Sequence, residues 1–169
     1  LVDPAKKPLD EIIIDQYQSL SSYPKAQRAF RYICCFHQYN LSINMELLFR
    51  ALECTYRDFY DDILNKDAAK IVFEEVDSMK NIMFRTHHRI IAEKTVAHFL
   101  SDPEEQKGVL LEVMKNPVLT NEKEREIIED ILIRHVAAAN SIYTKEQARV
   151  IFKEVCQKYP TRPLVHHWG

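Results

Sequence analysis

The sequence predicts an all-α protein, an irregular bundle of about seven to nine helices. Three observations carry this expectation. The 169 residues include two glycines, Gly108 and Gly169, where an ordinary domain carries ~7%. Apolar residues recur at helical spacing along most of the chain. Pro, Ser, Thr, Asn and Asp stand where those runs begin and end, as helix caps and stops do.

Residues 1–8, with Pro4 and Pro8, read as a flexible lead-in, 9–160 as one α-helical domain and 161–169 as a C-terminal tail. Leu9, Ile12, Ile13, Ile14 and Tyr17 open the first apolar segment, and Ser19-Leu20-Ser21-Ser22 closes it. The isoleucine triplet is wider than one stripe, which suits full burial or contact with a second copy. Pro24 suits a first helical turn, and Ala26, Ala29, Phe30, Ile33, Cys34 and His37 follow at helical spacing. Ser42 or Asn44 caps the next segment, whose face runs Leu47, Leu48, Ala51, Leu52, Tyr56, Phe59, Ile63 and Leu64. Asp67 caps another. From Asp67 to Leu100 there is neither Pro nor Gly. One long helix, or two broken near Thr86, is therefore expected, with Ile71, Val72, Val76, Met79 and Met83 inside and no strand. Asp102-Pro103-Glu104-Glu105 marks a sharp helix start: a capping carboxylate, a proline at the first position and an acidic first turn. Thr120 or Asn121 caps a helix buried through Ile127, Ile128, Ile131, Leu132, His135 and Val136. Thr144-Lys145-Glu146-Gln147 has capping-box spacing, and Pro160 and Pro163 end the regular part.

The glycine deficit also limits the chemistry. Phosphate-cradling loops need several glycines, and tight hairpins favour Asn-Gly or Asp-Gly; neither occurs. The net charge of −2 is not that of a whole-domain nucleic-acid binder. Residues 102–130 carry nine acids against four bases, a net of −5, and should repel DNA. No apolar run spans a membrane and no signal peptide opens the chain. The absent initiator Met predicts a piece of a longer protein. Cys34, Cys35, Cys54 and Cys156 form no small-domain disulfide pattern, which favours a reducing compartment.

No Glu stands three residues before any of the seven histidines, so no helical di-iron ligand pair exists, and His-Glu-x-x-His is absent. Cys34, Cys35 and His37 are the nearest approach to a metal cluster, with Cys54 or His98 as added ligands. Adjacent helical cysteines point ~100° apart, however, and converge poorly on one ion. They read as core cysteines beside a satisfied histidine. A Cys–His nucleophile would also need an oxyanion hole, commonly built in a tight glycine turn. No catalytic residue, metal ligand or cofactor is therefore assigned. His135 reads as a core histidine, and His166-His167-Trp168 as a tail that docks Trp168 or stays loose. Arg85, His87, His88, Arg89 and Lys94 form a basic segment. Arg85, His88 and Arg89 are its candidate partner-binding residues, weighed against an ordinary solvated face.

Several motifs resemble one family. His98-Phe99-Leu100-Ser101-Asp102-Pro103-Glu104-Glu105-Gln106-Lys107, leading into Leu110-Leu111-Glu112-Val113-Met114-Lys115-Asn116, resembles part of the homology domain of telomere repeat-binding factors. Ala139-Asn140-Ser141-Ile142-Tyr143-Thr144 with Gln147 to Tyr159, and Arg28-Ala29-Phe30-Arg31, are similar to further stretches of it. The resemblance implies a helical, non-enzymatic scaffold domain of a nuclear chromosome protein, which self-associates and docks peptides of other telomere proteins. DNA would be read by a separate Myb-type domain outside this chain. The family's Leu-Thr-Pro-Leu-Glu-like docking segment has no counterpart here, so no docking residue is carried over. The alternative expectation is an unrelated helical regulatory or viral adaptor domain, nuclear or cytoplasmic; a metal-binding protein built on Cys34, Cys35 and His37 comes third.

Overall fold

Helix α1 (Leu9–Ser19) buries Ile13 and Tyr17 and leaves Ile12 exposed. The Tyr17 ring stacks on Phe99 at 3.9 Å. A turn at Leu20–Ser22 leads to α2 (Pro24–His37), which starts with proline at its first position. Nine of the 14 residues of α2 are buried, so it is the central helix against which the others pack. The structure is a computed structural model that describes residues 7–64, 67–118 and 120–168; of Asp67, Ala69, His167 and Trp168 it describes the backbone alone. Leu1–Lys6 of the expected lead-in lie outside the described residues, as does the side chain of Trp168.

The protein is mostly helical, as expected, and it also contains a small sheet that the sequence reading missed. After α2 come strand β1 (Ile43–Asn44), α3 (Met45–Leu52) and α4 (Tyr56–Asp58), which widens into a looser turn over Phe59–Leu64. The expected single helix from Leu47 to Leu64 is thus two. Glu53 ends α3 in the left-handed conformation, φ 53°, and Thr55 caps α4 in a reciprocal box with Asp58.

The long helix expected after Asp67 is overturned. Past a short turn at Asp67–Lys70, β2 (Val72–Val76) and β3 (Ile82–Thr86) form an antiparallel hairpin, and β3 also pairs with β1. The sheet order is β1-β3-β2. Two features replace the missing glycine. The Asp77 carboxylate accepts hydrogen bonds from the amides of Met79 and Asn81, both at 2.9 Å. Lys80 takes the left-handed position at φ 66°. Phe73 then faces Arg85 across the ladder, with the guanidinium 4.5 Å from the ring centre. The order α2–β1–α3–α4–β2–β3 is that of a helix-turn-helix closed by a hairpin wing. Phe49, Phe59 and Phe84 join α3, the end of α4 and the wing, with ring centres 4.7 and 4.9 Å apart around Phe59.

At Thr86, where one of the two expectations put a break between helices, strand β3 ends instead, and α5 (Arg89–Phe99) then packs on α2 and α1. Then follow α6 (Pro103–Val113), capped by Asp102; α7 (Glu122–Ile131), capped by Asn121 and loosened over Leu132–Val136; and α8 (Lys145–Lys158), capped by the Thr144–Gln147 box. Regular structure does not stop at Pro160. Helix α9 (Arg162–Trp168) follows and buries Leu164, because Pro163 sits in a first turn where its missing N–H is not needed. Among the described residues no helix is long and apolar enough to cross a membrane.

Candidate functional site

The basic segment does not form one free face. Arg85 lies folded along the wing: its Nε donates to Glu75 at 2.9 Å, and its Nη1 donates to the carbonyls of Thr86 and His87. Glu75 is partly buried, which would raise its pKa. The bonds from Arg85 and Ser42 outweigh that and hold the carboxyl below its ordinary value. Lys94 pairs with Asp10 at 2.5 Å, and Arg89 with Glu93 at 2.6 Å. His88 is exposed at the cap position of α5, where its side chain makes no capping bond. Of the three candidates, Arg85 is thus occupied within the fold. His88 and Arg89 remain at the surface, and Arg89 lines a pocket with residues from α7.

Cys34, Cys35 and His37 are not brought together. Both thiols are fully buried on α2. Burial pushes Cys34 well above the ordinary thiol value and Cys35 up to about 12, so both stay protonated and weakly reactive. His37 turns to the wing, its Nδ1 lying 2.6 Å from Thr86 Oγ1. The Thr86 hydroxyl donates to the His88 carbonyl at 2.9 Å, so Thr86 must accept from His37 Nδ1–H. Burial, then nearby Arg85, lowers the His37 pKa and keeps the ring neutral. His37 therefore ties α2 to the start of α5. Among the described residues no group of three or more His, Cys, Asp or Glu is placed to hold a metal ion.

Two concavities meet at Arg134. The larger, about 400 Å³, lies between the wing and α7. Leu41, Met83 and Ile127 supply its apolar lining, while Glu75, Asp77, Lys123, Glu126, Asp130 and Arg134 supply charge. That volume lies within the usual range of ~300–1,000 Å³ for ligand sites. The wing also exposes Val76 and Met79, 63% and 62% accessible, on either side of Asp77 and Ser78. The smaller pocket, about 240 Å³, is lined by Gln38, Tyr39, Arg89, Arg134, His135, Asn140, Ser141 and Ile142. His135 is not a core residue; it stacks on Tyr39 with ring centres 4.3 Å apart and stays partly exposed.

Sequence reasoning found Arg89 but neither concavity. The wing cleft depends on a hairpin that a helical reading erases. The smaller pocket gathers side chains from four separate segments, and no spacing along the chain announces it. Comparison with protein-family models, curated proteins and solved structures finds no match. The functional reading therefore rests on the residues and their geometry.

Proposed function

We propose that this chain is a non-enzymatic protein-interaction domain whose docking surface is the cleft between the wing and α7. One observation carries the reading: an apolar floor of Leu41, Met83 and Ile127, rimmed by charge, beside a wing that exposes Val76 and Met79. Apolar anchors within a charged rim are how a groove takes a short peptide with both affinity and register. Charge on the helix-turn-helix favours a protein partner over DNA. The second helix of such a unit is the one that enters the major groove. Here it carries Asp58, Asp61 and Asp62 against Arg57, which phosphates repel.

The resemblance to telomere repeat-binding factors names the first partners to try, short peptides of other telomere proteins in the nucleus. It rests on the sequence motifs alone. The test is selection of a random peptide library on the whole chain, followed by affinity measurements on variants at exposed positions. Met79→Asp and Glu126→Lys should each weaken the selected peptides roughly tenfold or more. Val150→Asp, on α8, should leave them unchanged. Peptides indifferent to both cleft variants would refute the reading.

A further inference from the structure

We propose that the pocket between Arg89 and Arg134 binds the phosphate of a phosphorylated side chain on a partner peptide. The site is distinct from the wing cleft, touches it at Arg134, and does not depend on the reading of that cleft.

Four segments build the pocket: the end of α2 (Gln38, Tyr39), the start of α5 (Arg89), the loosened end of α7 (Arg134, His135) and the turn at Asn140–Ile142. Two guanidinium groups line it and no carboxylate does. Each arginine is braced by an acid one turn away on its own helix. Arg89 pairs with Glu93 at 2.6 Å, and Arg134 with Asp130 at 2.9 Å. A guanidinium has five N–H donors, and such a pair uses one or two of them. The remaining donors are available, and the bracing limits the entropy lost when an anion is gripped.

Neutral donors add to the charge. The Ser141 oxygen accepts from the Tyr143 amide at 3.2 Å, which leaves its own O–H to donate. Asn140 adds an amide N–H₂. Two guanidinium groups, each shared with one acid of its own helix, and several neutral donors offer more N–H and O–H groups than a carboxylate can use and match the three oxygens of a phosphomonoester. The volume is below the ~300 Å³ at which pockets enclose drug-sized ligands, so it suits a phosphate on a short side chain better than a whole nucleotide. Tyr39 and Ile142 give that side chain an apolar wall.

His135 makes the site responsive to pH. Facing it are Asp130, with Oδ2 4.0 Å from Nε2, Arg134 and Arg89, and the Tyr39 ring stacked beneath. Burial first, then the two arginines, lower its pKa against the opposing pull of Asp130, and this favours the neutral ring. A bound dianion reverses the balance, and binding should draw a proton onto His135.

The experiment is an amide-resolved NMR titration of the whole chain with phosphoserine, serine, inorganic phosphate and sulfate at constant ionic strength. Phosphoserine should produce saturable shifts at Arg89, His135 and Asn140–Ile142, and serine none. Arg89→Gln and Arg134→Gln should each weaken binding roughly fivefold to tenfold. Lys153→Gln, far along α8, should have no effect. Sulfate keeps its charge across the range, so its binding should tighten as pH falls from about 8 to about 6. His135→Asn should abolish that dependence, with the thermal midpoint of each variant verifying its fold. No saturable shift, shifts elsewhere, unchanged affinity in folded arginine variants, or binding of inorganic phosphate with exclusion of phosphoserine would each overturn the proposal.

Discussion

Arg50 on α3 and Glu124 on α7 form an ion pair in which the glutamate is completely buried. Glu124 also accepts the Val118 amide at 2.9 Å, and Arg50 Nε donates to the Asn116 carbonyl at 2.9 Å. The pair thus ties two helices and the loop between α6 and α7 together. A buried carboxylate is tolerable while its partner is present and costly once it is gone. Arg50→Ala should therefore destabilise the fold by about 3 kcal/mol. Glu124→Gln removes the charge yet can still accept from Val118, and should cost about 1–2 kcal/mol. Urea denaturation of both variants checks the order; an equal loss would show that the buried charge is not what matters.

His37 predicts a pH dependence of stability. Burial lowers its pKa in the folded protein from the ordinary value of 6.5. The unfolded chain thus binds a proton near that pH which the folded chain refuses, and stability falls as pH drops. His135 shifts in the same direction. The urea midpoint should decline from about pH 7 toward about pH 5.5, and His37→Gln, which can still donate to Thr86, should shallow the decline.

Lys80 holds the hairpin turn in a conformation that suits glycine better, with φ at 66°. Lys80→Gly should stabilise the protein by about 0.5–1 kcal/mol, raising Tm by roughly 1–4 °C for a chain of this size. Calorimetry measures it; a fall in Tm would mean that the Lys80 side chain contributes more than its backbone costs.

The helix starts were legible because each is written locally. Asp102 beside Pro103, Asn121 three residues before Glu124, and Thr144 with Gln147 all cap as their spacing implies. The wing was not legible, because Asp77 and Lys80 do by hydrogen bonding and left-handed backbone what Asn-Gly does openly. The short apolar run Ile82-Met83-Phe84, with β-branched Thr86 after Arg85, was the available strand signal, masked by the helical spacing of Val72, Val76, Met79 and Met83. The glycine deficit therefore excludes phosphate loops more firmly than hairpins. Arg89 was visible as a basic residue, but its neighbours Arg134 and His135 lie on another helix, and folding alone places them beside it.

Hydrogen–deuterium exchange with and without a library-selected peptide tests the docking reading most directly. The wing, Val72–Thr86, and the C-terminal half of α7 should gain protection when the peptide binds, with α1 and α8 unchanged. Protection confined to α1 or α8, or no saturable binder in the selection, would contradict the assignment of the wing cleft as the docking surface.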